Sequence, residues 1–387
     1  MIRWRAGVVL EVGRRWTGAV ELDVRVDRPD QGGDEELARA RPEPADGSET
    51  AAPERGDDNA PVLRALAYPD LVGEPAVGDR VLLNITALDL GLGTGGYALV
   101  VALPDRLPPD RTSPGHLVKA RYTPLQSTVL GVDEQDSPHH RLLRDADGLA
   151  GCPVVVADLH SALPAVVAGI RADRPSTRVA YVATDGGALP LAFSRTVAAL
   201  TEAGWLCGTV TVGQAFGGDL EAVSLHNGLL AAVLVLSADV VVVAQGPGNL
   251  GTGTRWGFSG VVAGEAVNAV AALDGRPVAS LRVSAADARE RHRGISHHSL
   301  TAYGRVALAP ADVVVPDLPG PLGTQVRQQA ELLGGRHRLV EVRLDGLDDA
   351  LRAAPVRLQT MGRGLDEDAA SFLAAAAAGR HAASLLR

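Results

Sequence analysis

The chain has 387 residues, of which 46% are hydrophobic, 21% charged and 3% aromatic, with two cysteines. This is long enough for two domains with a sizeable core, and too long for two cysteines to staple. The net charge of −9 is local: residues 27–60 carry −7 of it, and the near-neutral remainder argues against a nucleic-acid footprint spread over the surface, leaving binding through the first part of the chain as a weaker option.

The first part reads as β. Runs at 8–12 and 19–26 flank GRRWTG, a hairpin signal, and strand-like runs follow at 62–68, 80–86, 97–102 and 116–122. Short strands with Gly and Pro turns predict a small barrel or sandwich over residues 1–148. The acidic, Pro- and Gly-rich stretch 27–60 has little to bury and reads as a disordered insertion. LGLGTGG (90–96) resembles a phosphate loop, but strand-like YALVVAL follows where a helix is required, so a glycine-rich hairpin is expected. Lys119, the single lysine, reads as an ordinary surface residue.

From residue 149 to the end the pattern changes. Apolar runs at 153–158, 178–184, 205–212, 239–244, 277–283, 312–315 and 338–343 alternate with helical segments near 161–172, 191–203, 220–234, 259–273, 300–308 and 323–333. The alanine-rich tail FLAAAAAGRHAASLL is a further helix candidate. Apolar strands alternating with helices predict a parallel, doubly wound, Rossmann-like α/β domain. No membrane span is expected: Ser237 and Asp239 split the apolar stretch 228–244 into a helix and a strand. With two isolated cysteines and no signal-length apolar N-terminus, the expected compartment is the cytoplasm.

Ligands of open α/β sheets bind beyond the carboxyl ends of the strands. That rule selects five loops: Asp158 with His160; Asp185, Gly186 and Gly187; Gly217, Gly218 and Asp219; the long glycine loop with Gly248, Gly251, Thr252, Gly253 and Thr254; and the dense segment 282–305 with Arg289, Arg291, His292, Arg293, His297 and His298. Glycines, hydroxyls and guanidinium forks suit a phosphate or carboxylate. The three aspartates suit helix caps equally well, and the arginines could instead pair with Asp287 and Glu290. His297 or His298 could move protons with Asp158 or Asp185. Alternatively, a divalent metal could be held by Asp158, His160 and Asp185 with one of those histidines, although no standard metal spacing is present. No dinucleotide fingerprint, Walker motif or GxSxG elbow occurs.

The segments TDGGALPLAFS (184–194), GQAFGGDLEAV (213–223), GPGNLGTGTRWGFSG (246–260), RHRGISHHSLTAYGRV (291–306) and HLVKARYTPLQ (116–126) together resemble an uncharacterised bacterial family of the domain-of-unknown-function type. That resemblance implies no activity, and it marks the stretch 27–60 as an addition. The expectation from the residues is a hydrolase or transferase acting on a small anionic ligand. The alternative is a non-catalytic metabolite-sensing or interaction module. Nucleic acid is not an expected partner, and a homo-oligomer is left open.

Overall fold

The structure, a computed structural model, describes residues 1–27, 60–110, 112 and 114–386. The expected insertion therefore lies outside the described residues. The chain divides into two compact units, Met1–Asp110 and Arg111–Arg387.

In the first unit, β1 (Trp4–Trp16) turns through Gly18, at φ 77°, into β2 (Ala19–Val26). With β3 (Val62–Ala67), β4 (Arg80–Asn84) and β5 (Ala98–Ala102) they close a barrel in the order β1-β2-β3-β5-β4. Of the two expected forms it is thus the barrel, which leaves no open edge. Val9, Leu22, Val24, Leu83 and Val100 fill its interior. The glycine-rich stretch 90–96 joins β4 to β5 with no helix after it.

The run expected at 116–122 does not join this barrel. It forms β6 (Leu117–Lys119), which pairs with β7 (Ser127–Val129) inside the second unit. The boundary therefore falls after 110 rather than at 148. Lys119 contributes an anchor there: its side chain is buried and donates to the Gly213, Ala215 and Ala222 carbonyls, correcting the expectation of a surface residue.

The second unit is built on β8 (Pro153–Val156), β9 (Val179–Thr184), β10 (Gly208–Thr211), β11 (Leu220–Glu221), β12 (Val240–Gln245) and β13 (Arg276–Ser280). Past the short pair β14 (Val283–Ser284) and β15 (Gly294–Ile295), β16 (Asp312–Pro316) and β17 (Arg338–Val342) complete it. The eight strands lie in the order β11-β10-β9-β12-β8-β13-β16-β17, all parallel. Their apolar runs feed two cores by alternation. Val154, Val156, Val241 and Val243 face one, with Val267 of the helix Val262–Ala272. Val155, Val240 and Val242 face the other, with Val166 of the helix Leu163–Asp173.

The sheet is parallel and covered on both faces, as expected, but its order is not the dinucleotide-binding one. In the order 3-2-1-4-5-6 the first strand lies between the second and the fourth. Here β8 lies between β12 and β13, and β12 separates it from β9. The helix expected from 220 begins at Leu225, because Leu220 and Glu221 pair with Val210 and Thr211 as a strand. The connections leaving β8 and β12 run in opposite directions along the sheet, so the switch point lies between these two strands.

The alanine-rich tail is a buried helix, Ala369–Ser384, laid on the helix Leu163–Asp173. A Cβ at Gly169 would lie 1.9 Å from the Ala376 carbonyl oxygen, and one at Gly379 would lie 2.0 Å from that of Val166. Gly379→Ala in an unencumbered helix would gain about 1 kcal/mol. Here the backbones must part, so a loss of about 1–3 kcal/mol is expected, read from denaturant midpoints.

Candidate functional site

At the switch point, Asp158 follows β8 and Gln245 ends β12; both are buried. Gln245 Nε2 donates to the Asp158 carbonyl and to Asn249 Oδ1, which stitches the two strand ends together. Asp158 Oδ2, Gln245 Oε1 and Thr184 Oγ1 are buried with no hydrogen-bond partner. All three residues line one small interior cavity.

The loop after β13 folds back over these ends. β14 and β15 pair antiparallel, and Gly294, at φ 67°, makes the return. A Cβ at Gly294 would lie 2.3 Å from Gln329 Oε1. Ser296 then caps the helix His297–Thr301, accepting from His298 N, and its hydroxyl also meets His292 Nδ1 at 2.7 Å. One serine thus fixes both the helix start and a ring four residues before the serine itself.

The result is a cluster of three imidazoles. His292, His297 and His298 each offer a nitrogen, and these atoms lie within 4.8 Å of one another. Their ring centroids are 4.4–5.0 Å apart. Phe258 stacks on His298 at 3.8 Å with an interplanar angle of 2°. The His297 Nε2 atom is buried and without a partner. Burial, reinforced by Arg282, pushes His292 and His298 down to about 3, and burial with Arg291 lowers His297. The cluster is therefore neutral near pH 7, with ring lone pairs available.

Arg282 joins the cluster to the carboxylates. Its Nη1 donates to His298 Nδ1 at 3.3 Å, and Asp158 Oδ2 lies 4.0 Å from that nitrogen. Burial raises the Asp158 carboxyl while Arg282 opposes the rise. Asp287 lies 4.0 Å from Arg282 on the loop side. It receives a two-pronged contact from Arg289 and a weaker one from Arg363.

Beside the cluster opens a cavity of about 880 Å³, lined by Arg255, Arg291, Arg305 and Arg336 with His297 in its wall. Leu300, Leu332 and Leu333 give it an apolar side, and Trp256 stands at it, exposed. Arg336 spends one nitrogen on the carbonyls of Gly304 and Ala307. No ion pair holds Arg255, Arg291 or Arg305 among the described residues.

The residues expected at the site separate into groups. Asp158, His297 and His298 converge, and Arg291 and Gly253 line the cavity. Arg289 and Arg293 do not: Arg289 pairs with the Asp287 carboxylate, as the alternative had it, and Arg293 donates to the Asp287 backbone carbonyl. Asp185 accepts from Gln214 N at the end of β9. His160 lies near Tyr181 and Ser194, at 3.2 and 2.7 Å, so its ring is engaged elsewhere than with Asp158. Gly217, Gly218 and Asp219 bind back to Glu221, Thr211 and Thr209, which ties β10 to β11. Gly186 and Gly187 allow their loop to approach Gln245 and Gly246, where a Cβ would meet oxygens at 2.5 and 2.2 Å. Gly251 bridges Phe258, and the Thr252 and Thr254 hydroxyls bond within the same loop, so that segment presents Arg255 and Trp256 rather than its hydroxyls. Gly248, at φ 90°, only turns the chain.

Sequence reasoning placed Arg282, His292 and Arg305 in the Arg/His segment without a role for any of them, and did not select Arg255 or Arg336. For His292 the available signal was the spacing H-x4-H-H around a glycine and a capping serine. The three cavity arginines carry no local signal, because they come from separate connections.

Together these features define a parallel α/β protein with a histidine cluster and, beside it, an arginine-lined cavity. The chain belongs to the family described as protein of unknown function (DUF3866), whose model matches residues 64–379. No curated protein and no solved structure matches it. Among the described residues, no helix is long and apolar enough to cross a membrane.

Proposed function

We propose that the protein is a hydrolase or group transferase acting on a small phosphate- or carboxylate-bearing ligand, bound at the carboxyl edge of the parallel sheet. The observation that carries this reading is the cavity walled by Arg255, Arg291, Arg305 and Arg336 with His297 beside them. Its size falls within the range of small-molecule sites. Guanidinium groups recognise phosphate and carboxylate oxygens in pairs, and among the described residues none of these four has an ion pair to break first, Arg336 being held by two carbonyls. The leucine side and Trp256 suit an apolar or planar body attached to the anionic group. His297, neutral and at the wall, is placed to accept a proton from water or from an acceptor hydroxyl.

The test is calorimetric titration with pyrophosphate and with citrate, which separate the two anion classes. Arg291→Ala and Arg305→Ala are each expected to weaken the preferred anion by about tenfold or more, as charge-assisted hydrogen bonds are worth roughly 1.5–3 kcal/mol. Added salt should weaken it further, because these arginines are exposed. Saturable binding with unchanged affinity in both variants would remove the cavity from the argument. A ligand that binds but is never turned over would favour the sensing alternative.

A further inference from the structure

We infer that His292, His297 and His298 form a binding site for a borderline divalent cation of the zinc class. This goes beyond the anion reading and does not depend on it; with an ion bound, His297 would serve as its ligand, and a water on the ion would take the place of the imidazole as the base. Three imidazole nitrogens within 4.8 Å of one another form a ligand set that suits zinc, and three protein ligands leave a coordination position for water or substrate.

Several independent features support a site built to hold an ion. His297 Nε2 is buried without a partner, the cost a metal bond would relieve. His292 Nδ1 is engaged by Ser296 Oγ, which orients the ring and leaves Nε2 as its free nitrogen. Such an outer contact on the far nitrogen is the usual way a metal-binding imidazole is aimed. Phe258 lies flat on His298 and restrains its plane. The cluster sits on short, tied elements rather than a loose loop: Ser284 and the Ala285 amide both bind Asp368, at the root of the segment that carries His292.

Arg282 is the opposing feature, since its guanidinium donates to His298 Nδ1. Asp158 and Asp287, both buried and 4.0 Å from His298 and Arg282 respectively, offset that charge. Cation binding must therefore displace the 3.3 Å contact between Arg282 and His298 or use the other nitrogen of that ring. The ion would lie next to the arginine cavity, because His297 belongs to both. Its Lewis acidity would then act on a group held there.

The experiment uses the full chain, stripped with chelator and titrated with zinc against a chromophoric competitor, with metal content measured in parallel. One ion per chain is expected. His292→Ala, His297→Ala and His298→Ala should each weaken zinc at least about tenfold, since even outer-shell losses cost 10–100-fold. His297 is only half-buried, so His297→Gln is the variant least exposed to misfolding, and circular dichroism checks its fold. Cobalt(II) gives a second reading: visible d–d absorption of a nitrogen-ligated ion in the native chain, lost in His297→Gln. Binding that is absent, or that is unchanged in the triple alanine variant, would reduce the cluster to packed aromatic rings and overturn the inference. All readouts are made without anion, so failure of the cavity reading leaves this one standing, and the converse also holds.

Discussion

Lys119→Met is expected to lower stability by about 3–5 kcal/mol, the usual loss when one partner of a buried ion pair is removed. The ammonium is fully enclosed, at 0% exposure, and donates to three carbonyls at 2.9–3.0 Å with Glu221 Oε2 at 3.3 Å. Glu221 in turn accepts from Thr211 Oγ1 and Gly217 N. Burial lowers Lys119 and raises Glu221, and each charge opposes the shift of the other. Methionine fills the volume but leaves a carboxylate without its cation and three carbonyls without a donor. Adding Glu221→Gln should therefore cost less in the Lys119→Met chain than in the native one, a non-additivity that a double-mutant cycle measures.

The same geometry accounts for the identity of the residue. Every other strong base in this chain is arginine. A compact ammonium points three donors tetrahedrally at three carbonyls from one small centre, whereas the donors of the bulkier guanidinium all lie in one plane. Lys119→Arg is thus expected to rescue little. Amine acetylation of the native protein should spare Lys119, as mass spectrometry would show. Ready labelling, or a stability loss under about 1 kcal/mol, would contradict the buried clamp.

Much of the fold was legible because a parallel strand buried on both faces has to be apolar throughout. The runs at β8, β9 and β12 announced themselves in this way, and the strand-end rule pointed to both Asp158 and His298, which lie 4.0 Å apart. Strand order was not legible, since nothing in the valine runs says which neighbours which. Nor was the fate of individual arginines. Arg289 and Arg291 look alike in sequence, yet Arg289 is satisfied by Asp287 two residues before it, while Arg291 reaches the cavity. His292 became a partner of His297 only through the left-handed turn at Gly294 and the shared hydroxyl of Ser296. Contacts that depend on one backbone angle leave little trace in composition or periodicity.

Asp287→Ala is expected to cost a similar 3–5 kcal/mol and, unlike Lys119→Met, to disturb the site directly. Asp287 is 2% exposed and sits among Arg282, Arg289 and Arg363. Its amide donates to Ser284 Oγ, and its carbonyl accepts from Arg293. Without the carboxylate, Arg282 and Arg289 keep their charge near His292 and His298, and the tie that orders 285–293 is cut. Zinc affinity should fall along with stability, although no imidazole has been altered. Asparagine is a poor substitute, because its amide nitrogen would face a guanidinium donor. The Arg289 contact, the largest effect against a smaller cost of burial, holds the Asp287 carboxyl far below its ordinary value of 3.8. A depressed carboxyl stabilises fully above that ordinary value and loses the contribution as pH falls through the folded one. The native chain should therefore lose this part of its stability only at strongly acidic pH, and the Ala variant should lack that acid limb. Denaturation curves for both chains at pH 7 and at successively lower pH test this. Parallel curves, or an Ala variant with native zinc affinity, would show that Asp287 neither supports the loop nor positions His292.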